Sequence, residues 1–361
     1  MTRIADHLQD KTIINPFPGL RFLESAIGRT ITARIGSNES IALDSQALLA
    51  QFGEAFCQLA RYYPDPSAAE LRARVAGVCG VEDNAVLFDA GADSLILLAL
   101  RVVCNVGDIV ITSAGTYPTF RYFAEGVGVN IVEVAYDDSD GQLRPDLDAL
   151  AEAAEQHQAA LVYLANPDNP SGYYHDGAAI HRFRERLPAD TVLLLDEAYS
   201  DFCGDDLPSG LLPNTVRLRT FSKAYGLAGL RVGYALADPD LIAKAAQVRI
   251  HYAVSSIAQA AATLVFDEPG YRQQIIDQTV AMRTSLSERL SSAGLEVLPS
   301  ATNFVTVRYQ DADSAKAIQQ QLWQRQAAVH RPPHPALGHL LRITVHPQAL
   351  DDEVIGLLAQ A

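Results

Sequence analysis

Thr220-Phe221-Ser222-Lys223-Ala224-Tyr225-Gly226-Leu227-Ala228-Gly229-Leu230-Arg231 decides how the rest of this chain is read. The stretch joins two β-rich runs and holds one of only four lysines, against 24 arginines. Lys11 lies in the N-terminal tail, and Lys244 and Lys316 lie in patterns typical of helix surfaces. Lys223 alone follows an apolar run, sits among small residues and has an arginine eight positions on. A lysine that forms a Schiff base with a carbonyl compound needs such surroundings. They allow close backbone approach, lower the amine pKa through a nearby positive charge, and offer a hydroxyl for phosphate.

Around this stretch, short β-rich runs alternate with longer helical patterns. The runs cover 85–88, 108–112, 130–135, 160–165, 191–195, 215–220 and 231–237, and most are nearly all apolar. Strands buried on both faces of a parallel sheet require that composition. Helical patterns lie between them at 93–103, 117–126, 147–156 and 178–187. The alternation predicts an α/β domain over 46–255 with a mostly parallel seven-stranded sheet sandwiched by helices. Ligands in such sheets bind beyond the carboxyl ends of the strands. After residue 255 come helices at 257–266 and 270–294, a strand at 303–308 and a helix at 313–326. Short strands at 327–331 and 340–345 and a helix at 349–361 follow. These predict a small α+β domain built from both termini, 1–45 and 256–361.

Composition narrows the function. With 361 residues, 48% hydrophobic and 20% charged, the chain is globular and long enough for a large and a smaller domain. A net charge of −15 argues against a nucleic-acid surface or an anionic-membrane patch, while leaving room for a local basic pocket. Cys57, Cys79, Cys104 and Cys203 form no CxxC pair, which reads as free thiols in a reducing cytoplasm with no metal site. The N-terminus has no apolar signal core, and the most apolar window, 95–106, is too short to span a bilayer and contains Arg101. A soluble cytoplasmic protein is expected.

The residues that follow the strands carry the candidate chemistry. Asp196 and Tyr199 follow the run ending at Leu195. A carboxylate there can pair with a protonated ring nitrogen, or cap the next helix. Asn166-Pro167-Asp168-Asn169-Pro170-Ser171-Gly172 forms a rigid turn able to hold an amide side chain against a ligand. Asp89-Ala90-Gly91-Ala92-Asp93-Ser94 opens a helix with small residues, leaving backbone N–H groups for an anion. Tyr117 stands where an aromatic ring can stack on a flat ligand. Arg342 lies inside an apolar strand, where a charge is costly unless it meets an anion, and Arg331 is placed to join it.

Taken in their order along the chain, these segments resemble the fold-type I pyridoxal-phosphate enzymes, in particular the histidinol-phosphate aminotransferase group of the class I/II aminotransferases. Arg61-Tyr62-Tyr63-Pro64-Asp65-Pro66 with Leu71-Arg72 is similar to that group's tyrosine-proline-aspartate signature. Thr220 to Arg231 is nearly its full lysine motif, and Ala301-Thr302-Asn303-Phe304-Val305 and Leu341-Arg342-Ile343-Thr344-Val345 match its small-domain segments.

The resemblance implies a pyridoxal 5'-phosphate enzyme that moves an amino group from a small-molecule donor with an anionic group to a 2-oxo acid acceptor such as 2-oxoglutarate. It implies that Lys223 holds the cofactor by a Schiff base and then acts as the proton-transferring base. Asp196 would pair with the ring nitrogen, and Tyr199 and Asn169 would hydrogen-bond the ring oxygen. Tyr117 would stack on the ring, and Ala92, Asp93, Ser222 and Arg231 would hold the phosphate. Tyr63 would reach into a partner subunit's site, which implies a homodimer, while Arg342, Arg331 and Asn169 would bind the substrate. Three positions depart from the group's pattern: Phe17 replaces an expected tyrosine, Ser94 replaces a common glutamate, and Ser37-Asn38-Glu39-Ser40-Ile41-Ala42 lacks the usual proline and glycine loop. They leave the donor open. Two further readings on the same frame are a threonine-phosphate decarboxylase-like enzyme and a non-catalytic pyridoxal-phosphate-sensing domain.

Overall fold

Seven strands form the main sheet: β1 (Val86–Asp89), β2 (Ile109–Ser113), β3 (Asn130–Val134), β4 (Leu161–Ala165), β5 (Val192–Asp196), β6 (Thr215–Thr220) and β7 (Gly233–Leu236). The computed structural model describes residues 7, 20–41, 45–52, 55–204 and 210–360. Phe17 and Lys11 lie outside the described residues, as does most of 1–19. The strand order is β1-β7-β6-β5-β4-β2-β3. The pairs β2–β3, β2–β4, β4–β5 and β5–β6 are parallel, and β7 runs antiparallel to both β1 and β6. The central strands β4 and β5 are buried at every position, as their unbroken apolar runs require.

Two consequences of this order position the site. β4, β5 and β6 are adjacent and parallel, so the segments after Ala165, Leu195 and Thr220 emerge side by side. Gly233 of β7 lies opposite both Asp89 and Thr220, which brings the ends of β1 and β6 to one place. That junction is tight: a Cβ on Gly233 would meet the Gly91 carbonyl carbon at 2.9 Å and the Ala92 nitrogen at 3.0 Å.

β6 carries two arginines that an apolar strand would not. Arg217 is buried and donates to both carboxylate oxygens of Glu197, and Arg219 Nε donates to Glu197 Oε2 at 2.9 Å. Alternation along the chain puts Glu197 on the other side from Asp196, so this ion cluster anchors the segment that presents Asp196.

The small domain holds a three-stranded antiparallel sheet of β8 (Glu296–Leu298), β9 (Phe304–Arg308) and β10 (Leu340–Thr344). Ala33–Arg34 pairs in parallel with Ala327–Ala328, so a segment near the N-terminus is built into this domain. Packing runs across the 255/256 division of the sequence reading. Helix Ser256–Asp267 buries Ala258, Ala261, Ala262 and Val265 in the same cluster as Val75, Phe88 and Tyr234 of the large domain. The 22-residue helix Tyr271–Ser292 then serves both domains. Its Tyr271 and Ile275 pack in the large-domain cluster, and Leu286 and Leu290 pack in the small-domain one. The last helix is shorter than expected, Asp352–Leu358, because a separate 3-10 turn occupies Pro347–Leu350.

Candidate active site

At the junction of β1, β6 and β7 the chain forms a polar cup. Gly91, at φ +83°, precedes helix Ala92–Val103 and supplies no side-chain cap. The first-turn N–H groups therefore remain for another acceptor, at the positive end of the helix dipole. A Cβ at Gly91 would also lie 2.6 Å from Arg231 NH2, so the guanidinium would have to shift. Arg231 adopts a left-handed backbone, φ +54°, uncommon for a residue with a Cβ. In that conformation its guanidinium reaches Ser222 Oγ at 3.5 Å and Asp93 Oδ2 at 3.3 Å. Ser222 Oγ also accepts from Thr220 Oγ1 at 2.9 Å, which fixes its position. Asp93 is further held by the Tyr117 hydroxyl, which donates to Oδ1 at 2.8 Å. Ser94, read as a departure, donates to Asp89 Oδ1 at 2.6 Å and so braces the turn that enters the helix.

Asp196 ends β5 as a buried carboxyl. Its Oδ2 accepts from the Tyr163 hydroxyl at 2.9 Å and its Oδ1 from the Ala198 N–H at 3.0 Å. Burial pushes its pKa up to about 6, against the pull of those two donors. The side chain therefore does more than cap the turn that follows it. A carboxyl of raised proton affinity beside a ring site suits a partner that brings its own positive charge.

Lys223 is partly buried, and its Nζ donates to the Asn38 carbonyl at 2.9 Å. Loss of water around the amine pushes its pKa down to about 8, reinforced by Arg342 and Arg231. The Tyr199 ring lies 5.4 Å from Nζ. Arg342 is 3% exposed, donating through NH1 to Asn169 Oδ1 at 2.6 Å and through NH2 to the Gly36 carbonyl at 2.8 Å. Its Nε has no partner, and among the described residues no carboxylate forms a salt bridge with it. Burial lowers its pKa, the direction expected of a cation stripped of water. The turn carrying Asn169 is held by Asp168, which accepts from Thr116, Tyr136 and Ser171.

The structure thus joins Lys223 and Tyr199 through Asn38 and pairs Arg342 with Asn169, the two groups meeting on the Phe304 ring, while Tyr117, Asp93, Ser222 and Arg231 form another cluster. Two candidates lie elsewhere. Tyr63 is 85% exposed and stacks on Tyr252, ring centroids 4.9 Å apart. Arg331 donates to Gln319 Oε1 at 3.4 Å and to the Gly338 carbonyl at 3.3 Å. Its neighbour His330 bridges Arg342 across the backbone, so Arg331 points to the opposite face. Sequence reasoning missed Asn38, Asn303, Tyr163 and Thr344 as site residues. Asn38 alone touches Lys223, Tyr199, Thr344 and Asn303.

The comparisons with known proteins give the family. The family model described as aminotransferase class I and II matches residues 36–358. A histidinol-phosphate aminotransferase of Bacillus subtilis strain 168 is 31% identical over 368 residues, covering 99% of this chain and 99% of the relative. An aromatic amino acid aminotransferase of Nocardia farcinica is 36% identical over 284 residues, 75% of this chain and 77% of the relative. A solved histidinol-phosphate aminotransferase from Sinorhizobium meliloti, in complex with pyridoxal-5'-phosphate, matches with a TM-score of 0.90 at 35% identity. That match covers 100% of this chain and 96% of the solved one. The matches favour transamination over decarboxylation on this frame. With its family model spanning nearly the whole length, the chain belongs to the class I and II aminotransferases, enzymes that depend on pyridoxal phosphate.

Proposed function

We propose that the enzyme transfers the amino group of a donor that carries both a flat ring and an anionic group, histidinol phosphate first among them, to a 2-oxo acid such as 2-oxoglutarate. The observation that carries this reading is Arg342, a buried cation with a free Nε and no carboxylate partner among the described residues. A charge kept at that cost suits an incoming anion. The names of the relatives, histidinol-phosphate and aromatic amino acid aminotransferases, support a donor with a ring.

The residues fit pyridoxal phosphate group by group. Arg231, Ser222 and the first-turn N–H groups at Ala92 and Asp93 would hold its phosphate. Asp196 would face its ring nitrogen, Tyr199 and Asn169 its ring oxygen, and Tyr117 its ring face. Bound there, the cofactor supplies a carbonyl that condenses with the donor's amine and a ring that withdraws electrons from the donor's α-carbon. Lys223 takes and returns the α-proton at Nζ, and its lowered pKa keeps part of the amine neutral near physiological pH. Asp196 would favour a proton on the ring nitrogen by its charge. Exposed Tyr62, Tyr63 and Ile250 support a homodimer in which Tyr63 reaches the partner's site. No described helix is long and apolar enough to cross a membrane, and a cytoplasmic location goes with this reading.

A panel of donors with 2-oxoglutarate, containing histidinol phosphate, phenylalanine, tyrosine and histidinol, which has the ring and amine but no anionic group, tests the proposal. The anionic ring donors are expected to turn over, and equal rates with histidinol and histidinol phosphate would overturn it. Arg342→Ala is expected to raise KM for the anionic donors about ten- to a hundredfold, the scale of a lost charged hydrogen bond. An unchanged KM would show that the anion binds elsewhere.

A further inference from the structure

Asn38 sits in the left-handed region, φ +52°. It is 1% exposed, and each of its polar groups is engaged. Its N–H donates to Thr344 Oγ1 at 2.8 Å. The Thr344 hydroxyl donates back to Asn38 Oδ1 at 3.0 Å. Its Nδ2 donates to the Tyr199 oxygen at 2.9 Å. Its carbonyl accepts from Lys223 Nζ at 2.9 Å and from Asn303 Nδ2 at 3.1 Å.

One orientation pairs every group. Thr344 Oγ1 accepts from the Asn38 N–H, and Asn38 Oδ1 is the acceptor that the hydroxyl's own proton has among the described residues; turning the amide over would put an NH2 there and leave that proton without one. That fixes the amide with its NH2 toward Tyr199. An NH2 group only donates, so the Tyr199 oxygen accepts there and its own proton must point elsewhere. Burial holds the Tyr199 phenol well protonated, so that proton is present to be given.

We infer that Thr344 and Asn38 are positioning residues that set the direction of the Tyr199 hydroxyl, committing its proton to the ring oxygen of the cofactor. The inference rests on the reading that Tyr199 meets that oxygen. The strand that carries Arg342 also carries Thr344, so the substrate-binding strand and the orientation of a cofactor-binding hydroxyl are physically linked.

The test compares binding of pyridoxal phosphate with binding of its analogue lacking the ring hydroxyl, each to the cofactor-free enzyme. Both ligands share the aldehyde, ring nitrogen and phosphate, so effects on Lys223, Asp196 and Arg231 cancel in the ratio of affinities. Thr344→Val frees the amide to turn, and Asn38→Asp puts an acceptor against the phenol. Each is expected to lower the ratio about fivefold, the scale of one lost neutral hydrogen bond. Thr344→Ser keeps the hydroxyl and is expected to keep the wild-type ratio. Tyr199→Phe separates the two claims. An unchanged ratio in Tyr199→Phe overturns the placement of Tyr199 itself. A lowered ratio there, with wild-type ratios in both Thr344→Val and Asn38→Asp, overturns the relay alone. Melting curves of the cofactor-free variants report whether each is folded, and Asn38→Asp carries the test if Thr344→Val is not.

Discussion

Lys223→Ala is expected to lower transamination about a thousandfold or more and to leave the protein folded. Among the described residues Lys223 is the one amine that touches Asn38 beside Tyr199, so its removal takes away the base of ordinary amine strength at that point. The fold should tolerate the change because the amine is a burden on it. Its pKa falls from an ordinary 10.5 to about 8 on folding. Between those values the unfolded chain binds the proton and the folded chain does not. Stability therefore rises with pH across that window, and the penalty is fully present below pH 8. The cofactor-free alanine variant should melt no lower than wild type at pH 7, and its relative advantage should shrink by pH 10. Borohydride reduction followed by mass measurement should attach the cofactor to wild type and leave the variant unmodified. Turnover within tenfold of wild type would remove Lys223 from the chemistry.

Asp196→Asn should separate function from stability in opposite directions. An amide cannot hold a proton on a ring nitrogen by charge, so turnover should fall about a hundredfold or more, near 3 kcal/mol of barrier. Affinity for the cofactor should fall as well. The cofactor-free protein should gain. Asp196 has its folded pKa raised from 3.8 to about 6 by burial, and the folded state holds a proton there that the unfolded state has lost. Stability therefore falls as pH rises through that window, and the penalty is fully present above pH 6. Removing it is worth at most about 3 kcal/mol, on the order of the shift in pKa units. Denaturant unfolding at pH 7.5 should show the gain, and at pH 4 it should nearly vanish. The same gain at both values would mean that charge is not its cause.

The strand ends were legible because each is a local signal. An apolar run that stops at Asp196, at Asn166 or at Ser222 and Lys223 announces a buried strand followed by a polar group. Other elements had no such signal. Helix Ala69–Cys79 mixes charges and small residues around its surface, and β8 is only three residues long. Sequence periodicity did not show that a single continuous helix, Tyr271–Ser292, packs in two separate core clusters, because its pattern has no break. Arg331 and Arg342 read as a pair because both lie in the same small-domain segment. The alternation of faces across the His330–Arg342 bridge sends them apart.

By itself the sequence determined the α/β frame, the lysine and the residue types that follow each strand, because apolar period and short motifs are properties of neighbours along the chain. Tertiary structure alone decided which of those residues meet. Asn38 and Thr344 are 306 positions apart, and Asn38 and Lys223 are 185 apart. Their hydrogen bonds depend on strand order, on the left-handed turn at Asn38 and on the return of both chain ends to one small domain. Hydrogen bonds act over about 3 Å, so only the folded backbone sets which donor faces which acceptor.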